Sequence, residues 1–277
     1  MTDAPGVVTR PDEQSNRIRK GGAMTAFEQV KQQVSEEEWK TRVDLAAAYH
    51  LTAHYGMTDM IANHISAEVP GEDGAFLINA YGYLYEEITA SNLVKIDLDG
   101  NILFNPNEEY GINQAGFVIH SAIHAARDNA QCVIHTHTPA GMAVSALKCG
   151  LMPITQTATR WRDVPHHDFQ GIAVDLSERE SLVRDLGDAE VMILRNHGLI
   201  ALGASIAEAF NNIYRLELAC KAQVMALGCN TEILVPDQSV LDRTYNQWSP
   251  NVTRRYGILE WPAMLRLLDR VSPSYKK

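Results

Sequence analysis

The chain has 277 residues, 45% of them hydrophobic and 21% charged, which is the balance of a folded protein and excludes general disorder. Its net charge of -10 is the wrong sign for a nucleic-acid groove, which collects Lys and Arg. Four cysteines (Cys132, Cys149, Cys220 and Cys229) with no CxxC pair exclude a disulfide scaffold and read as reduced thiols of a cytoplasmic protein. No apolar run approaches the ~20 residues of a membrane span, and Met1–Lys20 lacks the apolar core of a secretory signal.

Met1 to about Met24 is polar and aperiodic and reads as a flexible, dispensable tail. A helix is predicted over Ser35–Tyr55. Ser35 caps it, Glu36 to Glu38 suit its positive end, and Gly56 stops it. Strands follow at His64–Val69, Phe76–Asn79 and Leu93–Leu98, the last turning at Asp99-Gly100 into Ile102–Phe104. A helix over Gln114–Ala126 leads to the apolar strand Cys132–Ile134, which ends in His135-Thr136-His137. Thr138-Pro139 then opens a helix to about Leu147. Further strands are expected at Gly171–Val174, Glu190–Leu194 and Leu199–Leu202, and a long helix from the Ser205 cap to Leu227. From Val235 the chain shows only aromatic and proline punctuation. Trp248, Tyr256 and Trp261 there are bulky enough to cover a pocket. The order divides into a tail (1–24), one mixed α/β domain (25–234) and a C-terminal extension (235–277).

His135 and His137 stand at positions i and i+2 of a strand end, so both imidazoles leave the same face and can share one metal ion. A solvated or merely hydrogen-bonded pair is the competing reading. His197 follows an apolar strand and precedes Gly198, which places it as a third ligand of a site with open positions. His50 and His54, like His120 and His124, are i, i+4 pairs on helices with no HExxH pattern, and packing or surface roles are expected for them. His166-His167 reads as a solvated loop. There is no GxGxxG after a strand, no phosphate-binding GxxxxGK[ST] and no GxSxG elbow.

At Asn63–Ser66, Leu77–Gly82, Val94–Gly100, Gly116–His120, Val133–His137 and Leu194–Leu199 the sequence resembles the class II aldolase/adducin head domain family, over roughly Trp39 to Ala226. The resemblance implies a single-domain α/β/α sandwich around a mostly antiparallel mixed sheet. It implies tetramers with sites between subunits. It also implies a divalent ion, Zn2+ or another, on His135, His137 and His197. The aldolases' acidic residue, at the start of the helix before the metal strand, falls on Gly116. Their phosphate-holding serines fall on Gln114 and Ala115, and a Thr-Gly pair falls on Tyr81-Gly82. A retro-aldol step needs a group to move a proton, so phosphorylated sugars are not the expected substrates.

Three functions follow from the resemblance. The first is the branch of non-haem iron oxygenases of aminocoumarin antibiotic pathways. That branch uses Fe2+ and O2 to convert a prenylated 4-hydroxyphenylpyruvate, through the mandelate, to the 4-hydroxybenzoate. In it an aromatic 2-oxo acid replaces the missing charge, Tyr81 lines an aromatic pocket, and His120 lies beside the ion as partner or additional ligand. The second is a metal-dependent aldolase or decarboxylase for an unphosphorylated acid. The third is an adducin-like head without catalysis. A homotetramer with no nucleic-acid or membrane partner is expected in each case.

Overall fold

The computed structural model describes residues 25–107, 109–171 and 178–277, so the expected tail and most of the strand expected at Gly171–Val174 lie outside the described residues. Eight strands form one sheet in the order β4-β3-β2-β1-β5-β8-β7-β6: β1 (His64–Glu68), β2 (Ala75–Ile78), β3 (Val94–Asp97), β4 (Ile102–Phe104), β5 (Cys132–Thr136), β6 (His166–His167), β7 (Val191–Leu194) and β8 (Gly198–Gly203). Among the described residues only the β6–β7 pair is parallel. The mostly antiparallel mixed sheet is as expected.

Strand alternation builds two cores. Ile65, Ala67, Cys132, Ile134, Leu199 and Ala201 face one side, where α2 (Glu36–His54), α6 (Ile206–Gly228) and α8 (Trp261–Val271) cover them. Val133, Ile200 and Leu202 face the other, under α3 (Gln114–Ala126) and α5 (Glu178–Leu186). Both faces are buried, so β7, β8 and the first three residues of β5 read as continuous apolar runs. α3 also lays Phe117 and Val118 on Phe76, Ile78, Val94 and Ile96.

Most local expectations hold within two residues, including α4 (Pro139–Ser145) and the Ser35 cap, whose hydroxyl accepts from the Glu38 N–H at 3.0 Å. Four helices were not anticipated. α1 (Ala26–Gln33) opens on a Thr25/Glu28 capping box, and α5, α7 (Gln238–Trp248) and α8 complete the set. His166-His167 is corrected as well. It forms β6, and His167 is buried with Nδ1 2.7 Å from Asp185 and Nε2 3.1 Å from Glu178, clasping β6 to α5. Trp261 does not close over the metal strand. It packs against Phe210 on the opposite face and donates to Asp44 at 3.1 Å. Among the described residues no helix is long and apolar enough to cross a membrane.

One buried hydroxyl ties the sheet to α2 next to the start of β1. The Tyr49 hydroxyl accepts from the N–H groups of Ile65 (2.9 Å) and Asn79 (3.1 Å), donates to Asn79 Oδ1 (2.8 Å) and lies against the Ile65 carbonyl oxygen. Tyr49→Phe strands these groups away from water. It is expected to cost about 1–3 kcal/mol, read as a lower urea midpoint with an unchanged slope.

Candidate metal centre

The end of β5 and the turn between β7 and β8 bring three imidazoles together. His135 pairs with Ile200 across β5–β8. His137 lies just past the end of β5. His197 ends a turn in which its N–H donates to Leu194 O at 3.1 Å and Asn196 adopts φ 55°, a left-handed conformation that Asn tolerates. Gly198 lets the two strands close, since a Cβ there would overlap the Thr136 carbonyl oxygen and lie 3.2 Å from the His137 ring.

The three Nε2 atoms converge: His135 to His137 at 2.8 Å, His137 to His197 at 2.9 Å, and His135 to His197 at 3.2 Å. The second nitrogens fix what those atoms are. His135 Nδ1 faces the Leu199 carbonyl at 3.0 Å, which only accepts, so the proton sits on Nδ1 and Nε2 is a bare lone pair. His137 Nδ1 faces the Asp59 carboxylate at 3.1 Å with the same consequence. Two lone pairs 2.8 Å apart repel unless a cation stands between them. A proton is disfavoured there. Burial, then the neighbouring His197, holds His135 well below the usual imidazole range, and burial, then His137, pushes His197 down to about 4. The donor set therefore fits one divalent ion held by three neutral imidazoles, with Asp59 and Leu199 O orienting two of them. Among the described residues these three are the group that could hold an ion, and no carboxylate joins them.

Asp59 gave no sequence signal, because it sits in an aperiodic loop before Met60 at φ 43°. Asp59→Asn is expected to keep the fold and lower metal affinity by about 10–100-fold, measured by competition with a chromophoric chelator.

His120 is fully buried beside this centre, with Nε2 2.7 Å from His64 Nδ1, and His64 in turn stands across the β1–β5 ladder from His135 with ring centroids 5.1 Å apart. His120 thus lies behind His64 and outside the group of ligands. Tyr81 follows β2, 43% exposed, its N–H donating to Gly111 O at 2.8 Å. Gly116 belongs to the first turn of α3, and a Cβ there would fall 2.6 Å from His64 Cδ2, so the His64 ring fills the space a side chain at 116 would need.

Fold and donor set together define an α/β protein with three histidines placed to hold one metal ion. The profile of the Class II Aldolase and Adducin N-terminal domain matches residues 43–224, and the chain belongs to that family. A Caulobacter vibrioides protein whose name places it with the class 2 aldolases is 48% identical over 248 residues, 89% of this chain and 95% of that one. Mouse alpha-adducin is 49% identical over 188 residues, 68% of this chain but 26% of adducin. The crystal structure of an aldolase II superfamily protein from Pseudomonas syringae superposes with a TM-score of 0.84 at 49% identity, covering 90% of this chain and all of that one. L-fuculose 1-phosphate aldolase from Glaciozyma antarctica shares the fold, with a TM-score of 0.77 at 23% identity over 94% and 97% of the two chains.

Proposed function

We propose that the centre is a non-haem Fe(II) oxygenase acting on an aromatic 2-oxo acid, a prenylated 4-hydroxyphenylpyruvate, and carrying it through the mandelate to the 4-hydroxybenzoate. One observation supports this above the others: three neutral imidazoles with no carboxylate among them, and the space at Gly116 already taken by the His64 ring. A neutral donor set leaves the ion's full charge to be met by substrate, which a 2-oxo acid does through its carboxylate and keto oxygens. Bound there, Fe(II) supplies the electrons through which O2 reacts. The protein's part is to hold His135 and His137 in one tautomer through Leu199 O and Asp59, to bind the aryl group, for which Tyr81 is the proposed wall, and to exclude bulk water.

The sequence of reactions balances without an external reductant. In the first, the arylpyruvate and O2 give the mandelate and CO2. In the second, the mandelate and O2 give the benzoate, CO2 and water. The mandelate keeps a carboxylate and an α-oxygen, so one site can take both substrates. We propose a cyclic homotetramer as the working form, by analogy with the family alone, and light scattering at micromolar concentration tests it.

A lyase acting on an unphosphorylated hydroxy or oxo acid is the second reading, favoured by the likeness to proteins named as aldolases. Oxygen separates the two. With Fe(II) and the prenylated arylpyruvate, O2 uptake matched by CO2 release and benzoate formation is the expected result. Turnover that persists under argon, or that zinc supports as well as iron, assigns the centre to the lyase.

A further inference from the structure

The polar positions of β1 make a pattern that the metal centre does not use. His64, Ser66 and Glu68 alternate with Ile65 and Ala67, so they share the sheet face under α3. On α3, His120 and His124 lie one turn apart on the side that meets that face. The two periods interlock into a single file of contacts. His64 Nδ1 is 2.7 Å from His120 Nε2, His120 Nδ1 is 2.5 Å from Ser66 Oγ, and Ser66 Oγ is 2.6 Å from His124 Nε2. His124 Nδ1 is buried without a hydrogen-bond partner and stands 3.6 Å from Glu68 Oε1. His64, Ser66, His120 and His124 are all buried, while the Glu68 side chain is 35% exposed. Glu68 and His124 line an open groove of about 850 Å³ with Asp128, Gln131, Ser205 and Trp261. The inner end, His64, faces His135. The file therefore joins the edge of the metal centre to solvent at the far end of β1.

We propose that His64, His120, Ser66, His124 and Glu68 form a proton relay between the metal centre and this groove. Every internal member both donates and accepts, so the chain of hydrogen bonds has two directions. A proton arriving from Glu68 at His124 Nδ1 releases the one on Nε2 to Ser66. The serine passes its own to His120 Nδ1, and His120 passes the one on Nε2 to His64 Nδ1. With His64 giving up its own Nε2 proton on the side of the metal centre and solvent in the groove reprotonating Glu68, one proton has moved inward, no group has kept a charge, and every bond points the other way. A reaction that takes a proton and returns it resets the file. An apolar core would be the more stable choice for these five positions, because a buried polar file is favourable only when each member is satisfied. Glu68 is exposed enough to turn and close the last gap, which at 3.6 Å exceeds a hydrogen bond.

The relay holds whichever reaction the centre runs, and its test needs neither metal nor substrate. In metal-free protein labelled with 15N at histidine, ring nitrogen spectra report the tautomer of His120, and transfer into D2O reports how fast its buried ring N–H exchanges. Ser66→Ala breaks the file. His124→Gln keeps a partner for Ser66 but puts in an amide, which cannot take a proton on one atom and release one from another. Both variants are expected to slow the His120 ring exchange by about tenfold or more relative to the intact chain. A purely structural role has the opposite sign, because a loosened core opens more often and exchanges faster. Exchange that is unchanged or faster in both variants overturns the relay. In the loaded enzyme the same variants should lower kcat with KM and metal content unchanged, and Ser66→Thr, which restores the hydroxyl, should recover it.

Discussion

His135→Ala, His137→Ala and His197→Ala are each expected to leave a folded protein that no longer holds its ion. Two Nε2 atoms that remain 2.8–3.2 Å apart offer only half of a tetrahedral site, and neither has a carboxylate to replace the missing ring. Since even a partner behind a ligand is worth about 10–100-fold in affinity, loss of the ligand should weaken binding by at least about a hundredfold. Thermal unfolding gives the reading. At a hundred times Kd, an ion that binds only the folded chain stabilises it by about 2.7 kcal/mol, which is on the order of 5–10 °C for a domain of this size. The wild-type chain should show that shift with Fe(II) or Zn(II), and the three variants should show none. His137→Ala is the most informative of them. His137 is only partly buried, and the loss of its ring leaves little of the core exposed. Its metal-free form is therefore expected to melt close to the metal-free wild type. A metal-induced shift that survives in all three variants would place the ion elsewhere.

The clustering of the three histidines was legible because each sits where a local rule constrains it. His135 and His137 share a strand face, and His197 needs Gly198 to bring its turn against Thr136. What surrounds the triad was not legible for three different reasons. Asp59 acts from a loop with no period, so nothing in its neighbourhood marks it. His64, Ser66 and Glu68 did carry a signal, since polar residues alternate there with Ile65 and Ala67. That pattern also describes a half-solvated strand, and only the cover provided by α3 tells the two apart. His167 was misread because β6 has two residues, too few to show alternation, and its carboxylate partners lie 11 and 18 residues further on. The missed α8 was readable, with Trp261, Met264, Leu265 and Leu268 at helical spacing behind Pro262 in its first turn. The aromatic residues around it suggested punctuation instead. Where the sheet was concerned, apolar runs bounded by turn residues located β2, β5, β7 and β8, because both of their faces are buried.

Gly116→Glu is the substitution that restores the charge expected of an aldolase, and it is expected to damage the protein without creating one. Any side chain at this position begins with a Cβ 2.6 Å from His64 Cδ2 and 2.8 Å from its Cγ, in every rotamer. The His64 ring cannot retreat easily, because His120 holds its Nδ1 at 2.7 Å and the β5 ladder lies behind it. Gly116→Ala isolates that collision, and overpacking of this kind costs about 1–3 kcal/mol. In metal-free protein the glutamate adds a carboxylate to a buried position with no cation beside it, bringing the loss to on the order of 4 kcal/mol. In the ring-nitrogen spectra of metal-free protein, both variants should break the His64–His120 bond, while His135, held by Leu199 O, keeps its tautomer. If instead Gly116→Glu folds with wild-type stability and gains turnover under argon, the carboxylate has found room. The centre is then an aldolase site lacking only its acid, and the case for oxygen chemistry loses the observation that supports it best.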